Sequence, residues 1–317
     1  MATIDFHPDL RAARFLPRST VGPRRLTFMR QLMRMYRPGR KAGAVLDHAA
    51  PGVPVRVFRP AGATGPRPGL LWLHGGGLIF GSAAMDDPLC RVFADRLGIV
   101  VVSVDYRLAP EYPFPIPLED CYTGLRWLAR LPDVDPKRIA IRGDSAGGGL
   151  AAALALLARE RGRIDPVLQL LVYPMLDDRS SARTDIDPRR LRLWNQNSNR
   201  LGWHSYLGAA AAGGTVPALA VPARHEDLTG LPPAWIGVGT HDLFHDEDVA
   251  YAERLRAAGV PCTLEVVPGA YHGFDHVESR TPVVRAFLRS QIAALAAAFD
   301  SAEPDLGDRS GDPPGGR

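Results

Sequence analysis

No run of about 18 apolar residues occurs in the chain, so a membrane-spanning helix is not expected. Cysteine is scarce. Cys90, Cys121 and Cys262 are odd in number and far apart, which argues against a disulfide framework or a metal knuckle and predicts buried free thiols. The opening residues, Met1-Ala2-Thr3-Ile4-Asp5-Phe6-His7-Pro8-Asp9, lack the basic start and apolar stretch of a secretory leader, so a cytoplasmic location is expected. Zinc-finger and other nucleic-acid signatures are missing too, and no internal repeat is visible.

What is present is ordinary for a globular chain of 317 residues: 46% hydrophobic and 23% charged, enough for one large core or two modest ones. The net charge of +4 hides an asymmetry. Residues 1–41 hold nine Arg and one Lys against Asp5 and Asp9, a net of +8 that leaves −4 for the rest. A basic arm can point to nucleic acid or membrane, but the mildly acidic body and the absent motifs argue against a nucleic-acid partner.

Short apolar runs alternate with helical periodicity from Val53 to about Phe299. Strands are predicted at Val53–Phe58, Leu70–His74, Ile99–Asp105, Arg138–Arg142, Gln169–Tyr173, Ala234–Gly239 and Thr263–Val267. Helices are predicted at Asp86–Leu97, Leu118–Leu131, Gly148–Arg161, Asp246–Ala258 and Thr281–Phe299. The near-continuous Val, Ile and Leu runs suit strands covered on both faces, so the pattern predicts an α/β fold with a mostly parallel sheet between helices. Residues 1–45 form a separate N-terminal segment containing a helix at Arg24–Tyr36. That helix is either a cover over an apolar pocket, or a surface touching membranes, or a helix packed on the body with its arginines in water. Residues 46–176 and 229–300 form the core, and 177–228, too long for an ordinary loop, reads as an insertion with helices at Arg189–Trp194 and Trp203–Tyr206. Residues 301–317, rich in Gly, Pro, Asp and Ser, are expected to be disordered.

The sharpest chemical signal is Gly143-Asp144-Ser145-Ala146-Gly147. A Gly-x-Ser-x-Gly match is weak alone, but here an apolar strand precedes it and an alanine-rich helix follows. A strand turning directly into a helix must bend sharply, lifting the Ser145 hydroxyl above the sheet, and side chains on the flanking glycines would collide across the bend. A phosphate loop fits less well, since neither a following Lys nor GxGxxG spacing is present. Upstream, His74-Gly75-Gly76-Gly77 places three glycines after a strand, where bare N–H groups can approach a developing oxyanion. Gly76 and Gly77, with Ala146, are assigned as donors and Gly75 to the turn; which two of the three glycines donate stays open.

A serine hydroxyl needs a base, and the base an orienting acid. His272, in Tyr271-His272-Gly273-Phe274 beyond the loop Pro268-Gly269-Ala270, is the candidate base; His276 is the rival, expected to face away. Asp242 comes first after the strand Ala234–Gly239, whereas Asp246 and Glu247 sit where a helix N-terminus accounts for acids. The order Ser145, Asp242, His272 is the one this architecture uses. A neutral imidazole base implies activity rising with pH through about 6 to 7. His241 and His245 imitate a two-histidine zinc motif, with Asp242 where its Glu would be, but a strand precedes them and no third ligand is evident, so no metal is expected.

Taken together, His74-Gly75-Gly76-Gly77, Gly143-Asp144-Ser145-Ala146-Gly147-Gly148 and Tyr271-His272-Gly273-Phe274 resemble bacterial esterases of the hormone-sensitive lipase family. Asp105-Tyr106-Arg107-Leu108-Ala109-Pro110-Glu111, Pro113-Phe114-Pro115 and Asp242-Leu243-Phe244 agree with it, and the likeness spans roughly residues 66–277. The resemblance implies an α/β-hydrolase fold with a helical cap made from the N-terminal segment and the 177–228 insertion. It implies hydrolysis of short- to medium-chain acyl esters through a Ser145, Asp242, His272 triad, with no cofactor. His74 then supports the glycine loop and Asp144 is structural. Trp194, Trp203 and Tyr206 are candidates for the substrate pocket, or simply packing. The expected partner is a small-molecule ester, without stable membrane insertion; a homodimer is left open. An amidase or peptidase using the same triad, and a binding protein that keeps only the pocket, are the rival readings.

Overall fold

In the computed structural model, which describes residues 5–18, 21–35, 43–62, 65–208 and 216–302, the apolar runs become eight strands. They are β1 (Val45–Ala50), β2 (Val53–Phe58), β3 (Arg67–Leu73), β4 (Val100–Val104), β5 (Val134–Asp144), β6 (Leu168–Val172), β7 (Ala234–His241) and β8 (Cys262–Tyr271). They form one sheet in the order β1-β2-β4-β3-β5-β6-β7-β8. The β1–β2 and β2–β4 pairings are antiparallel and all others are parallel.

The helices are α1 (Pro23–Met35), α2 (Asp87–Leu97), α3 (Ile116–Leu128), α4 (Ala146–Arg161), α5 (Gln196–Leu207), α6 (His245–Ala257), α7 (Phe274–Val277) and α8 (Pro282–Ser301), of which α2, α3, α4, α6 and α8 pack on the sheet. Alternate residues of a strand point to opposite faces, and both faces here are apolar. Leu71, Leu73, Val102 and Val104 join a core with Leu118 and Leu125 of α3, Leu150 and Leu154 of α4, and Tyr251 and Leu255 of α6. Leu70, Trp72 and Val101 join a second core with Phe93 of α2 and Phe287, Leu295 and Phe299 of α8. By length and composition α8 is apolar enough to cross a membrane. Its residues Val284, Phe287, Leu295 and Phe299 recur on one face and are buried against the sheet.

Several elements depart from the predicted ones. β1 was not foreseen: it is an edge strand, exposed over Val45–His48, so no buried face marks it in the sequence. β8 continues through Pro268-Gly269-Ala270, which was expected to be a loop, with a register shift against β7 between Gly239 and His241. In the 177–228 segment, Arg189–Trp194 is not helical, whereas Trp203–Tyr206 falls inside α5. The Asn195 side chain caps α5, accepting from the N–H groups of Asn197 and Ser198. This segment meets the N-terminal one: Leu193 N donates to Pro17 O at 2.9 Å and Ser198 Oγ to Val21 O at 2.9 Å. Cys90 and Cys121 are buried free thiols, but Cys262 is only partly covered. Of the tail expected to be disordered, residues 303–317 lie outside the described residues, as does Tyr36 of the predicted first helix.

Candidate active site

Strand β5 turns into α4 through Ser145, which adopts φ 54° and ψ −117°. The strained bend is fixed on both sides, since Ser145 N donates to Val172 O at 2.8 Å and Ser145 O accepts from Gly149 N and Met175 N. The flanking glycines are required by contact. A Cβ on Gly143 would stand 2.1 Å from Gly147 O, and one on Gly147 would stand 2.1 Å from Leu73 O. The second approach brings the end of β3, and the glycine run after it, against the start of α4.

Because β5, β6, β7 and β8 are parallel neighbours, residues that follow their C-terminal ends gather at one rim. Asp242 directly follows β7 and His272 directly follows β8. Ser145 Oγ lies 2.9 Å from His272 Nε2, and His272 Nδ1 lies 2.8 Å from Asp242 Oδ2. A carboxylate only accepts, so Nδ1 carries the proton and Nε2 is left to accept from the hydroxyl. Asp242 Oδ1 accepts from Phe244 N at 3.0 Å, which fixes the carboxylate. All three side chains are buried. The rings of Tyr173 and Phe244 stand edge-on to His272 at 4.8 and 5.2 Å and confine the imidazole. Neither ring is assigned to the site by the sequence, where Tyr173 ends an apolar strand and Phe244 enters only as part of Asp242-Leu243-Phe244.

Gly76 and Gly77 have positive φ, 120° and 59°. Among the described residues, neither their N–H groups nor that of Ala146 donates to the protein, which leaves all three open to an oxyanion. His74 Nδ1 donates to Gly75 O at 2.7 Å while its ring stacks on Tyr106, whose hydroxyl donates to His74 O. His74 is therefore bound into the loop that carries the glycines.

A cavity of about 260 Å³ opens on Ser145, His272 and the glycine run. Phe80, Met85, Leu193, Trp194 and Val277 supply apolar walls, and Asp86, Asp144 and His276 a polar one. Trp194 thus lines the cavity, but Trp203 and Tyr206 do not. They are buried on α5 at 6.2 Å from each other, with Phe114 beside Tyr206, because the turn of the helix aims them into the core. His276 does not face away as expected: α7 turns it into the cavity, where Nε2 lies 3.4 Å from Asp144 Oδ2. Asp144 also lies 2.8 Å from Arg142, whose buried guanidinium sits 3.5 Å over the Trp72 ring.

The two acids assigned to a helix start have other partners. Glu247 is buried and accepts from Leu176 N, Asp177 N and Ser180 Oγ, so it ties down the chain after β6, and burial pushes its carboxyl well up. Asp246 is exposed and pairs with Arg183 and His245. His241 ends β7 and packs on Phe6, whereas His245 opens α6, so the two do not share the continuous helix a zinc pair needs.

A family model described as the alpha/beta hydrolase fold matches residues 70–276. Carboxylesterase NlhH of Mycobacterium tuberculosis is 37% identical over 252 residues, covering 78% of this chain and 79% of its own. The ethyl acetate hydrolase of Pseudomonas putida is 37% identical over 243 residues, covering 72% and 73%. Among solved structures, esterase LipW from Mycobacterium marinum superposes with a TM-score of 0.82 at 34% identity, covering 93% of this chain and 96% of that one.

Proposed function

Because the chain belongs to the α/β-hydrolase family and is a carboxylic ester hydrolase of its hormone-sensitive-lipase-like branch, we propose that it cleaves short- to medium-chain acyl esters through an acyl-enzyme on Ser145. The observation that carries this reading is the relay of 2.9 and 2.8 Å from Ser145 Oγ through His272 to Asp242. His272 Nε2 takes the hydroxyl proton as Oγ attacks the ester carbonyl, whose π electrons move onto oxygen. The N–H groups of Gly76, Gly77 and Ala146 receive that oxyanion, and Asp242 steadies the imidazolium. The tetrahedral intermediate collapses, breaking the C–O bond, and the alcohol leaves with the proton from His272. Water then attacks the acyl-enzyme by the same route and restores the hydroxyl.

The cavity of about 260 Å³ suits an acyl chain of a few carbons and is small for a long fatty chain. Contacts between the N-terminal segment and residues 177–228 support treating both as one cap over the hydrolase core. In this reading the enzyme works in the cytoplasm on small-molecule esters, with no cofactor, nucleic-acid partner or stable membrane insertion.

Labelling with a fluorophosphonate, followed by peptide mass spectrometry, tests the nucleophile. The label is expected on Ser145 alone, with turnover of 4-nitrophenyl butanoate lost in Ser145→Ala while the melting temperature is kept. Label on another residue, or substantial turnover by the alanine variant, refutes the assignment.

A further inference from the structure

Within the cavity beside Ser145, one wall departs from the apolar lining. Asp86, Asp144 and His276 each offer an atom there, and those atoms lie within 4.8 Å of one another. Ester hydrolysis as derived above uses none of them. Asp86 Oδ2 accepts from Trp72 Nε1 at 2.9 Å, and its other oxygen accepts from no described residue. The buried Asp144 is paired with Arg142 at 2.8 Å and His276 at 3.4 Å, yet neither of its oxygens meets a donor in good hydrogen-bonding line. The wall therefore holds more hydrogen-bonding capacity than the protein satisfies, and buried capacity of that kind is uncommon without a role.

We propose that this wall is a subsite selecting esters that carry a hydroxyl group on the acyl or the alcohol chain, a reading that rests on the esterase assignment above. The balance of charge favours a neutral group. Arg142 and His276 are matched by Asp144 and, beside His276, Asp275. Burial and the nearby Asp144 push the Asp86 carboxyl up, so it holds its charge less firmly than Asp144. An ammonium would meet His276 and Arg142, and a carboxylate would meet Asp144; a hydroxyl can donate to one member and accept from another. The same three groups could be imagined around a divalent cation, but Arg142 already supplies positive charge to Asp144 at 2.8 Å.

The test compares kcat/KM for two matched pairs on the full-length enzyme: ethyl butanoate with ethyl 3-hydroxybutanoate, and butyl acetate with 4-hydroxybutyl acetate. The first pair probes the acyl side and the second the alcohol side. In at least one pair the hydroxylated ester is expected to be favoured about 10-fold or more, below the roughly 10⁴–10⁵ of a fully enclosed hydroxyl site because His276 is partly exposed. His276→Phe should bring that ratio to about 1, and His276→Gln, which keeps a hydrogen-bonding head, should restore part of it. Melting curves verify that both variants fold. The proposal is overturned if the hydroxylated ester is not favoured in either pair, by a ratio untouched in His276→Phe, or by a ratio abolished with EDTA, which would assign the wall to a metal ion. Absence of turnover on every plain ester would instead remove the esterase reading itself.

Discussion

The α-carbon of Gly239 and the carbonyl of Ala270 approach so closely that a Cβ on Gly239 would stand 2.1 Å from the Ala270 oxygen. This is where β7 and β8 shift register, three residues before Asp242 and two before His272. Thr240 Oγ1 accepts from Gly269 N at 2.8 Å just beyond the crossing. Gly239→Ala must push the strands apart, because the new methyl meets the backbone carbonyl of Ala270, and neither group can rotate away. A loss of about 2–4 kcal/mol in unfolding free energy is expected, in the range of overpacked cores and broken strand contacts. Displacing the imidazole from its acid by about 1 Å should also lower kcat/KM roughly 100-fold. Urea melts and steady-state kinetics measure both, and a variant with wild-type values in each would show that the close approach does not position the relay.

The strands of the sheet's centre were legible because burial on both faces leaves uninterrupted Val, Ile and Leu, as in Val100-Val101-Val102-Ser103-Val104. The same logic hides β1, whose Asp47 and His48 face solvent on an edge. Ser145 stood out because its bend excludes side chains at Gly143 and Gly147, a constraint written into neighbouring residues. Asp86 and His276 carry no such local mark. Their meeting depends on the Trp72 hydrogen bond to Asp86 and on the turn of α7, two features just over 200 residues apart. Trp194 and Trp203 look alike as letters, and only the backbone before and within α5 decides which faces the cavity.

That difference between the two tryptophans gives a paired prediction. Trp194 lines the cavity and is held by a 3.3 Å hydrogen bond from Nε1 to Asn199 Oδ1. Trp194→Ala enlarges the site, so the preferred acyl chain should lengthen in a graded series of 4-nitrophenyl esters. Trp203→Ala empties space in the core instead, and should cost about 3–5 kcal/mol of stability while leaving the chain-length optimum in place. A shift of the optimum in Trp203→Ala alone would reverse these assignments.

His276 links stability to pH. Burial opposes charge on its ring, but Asp275, Asp144 and Asp86 outweigh that and push it up to about 10. Arg142 is the cation on the far side of Asp144. A histidine whose folded value is raised contributes stability fully below its unfolded value, near 6.5, and loses it as pH rises through about 10. With 38% of the side chain exposed, screening holds the effect to the order of 1 kcal/mol. Urea melts at pH 6, 8 and 10 should therefore show wild type exceeding His276→Phe most at pH 6, with the gap closing by pH 10. A gap that widens with pH would mean that the ring is held neutral.

Arg142 offers the most demanding test of the polar wall. Its guanidinium is 1% exposed, stacked over Trp72 and 2.8 Å from Asp144, with Nη2 donating to Gln291. Methionine matches much of its length and can fill the space over Trp72, so Arg142→Met removes chiefly the charge. Asp144 then stays buried with only the more distant His276 for a counter-ion, beside an Asp86 that already resists ionisation. Removing one partner of a buried pair typically costs about 3–5 kcal/mol, since the remaining charge keeps its desolvation penalty without its attraction. Neutralising the survivor should relieve that penalty, so Arg142→Met combined with Asp144→Asn is expected to be more stable than Arg142→Met alone. Thermal and urea melts of the two single variants and the double variant separate the terms as a cycle. If the double variant only sums the two single losses, the destabilisation comes from lost packing over Trp72, and Arg142 is not the charge that keeps Asp144 ionised beside Ser145.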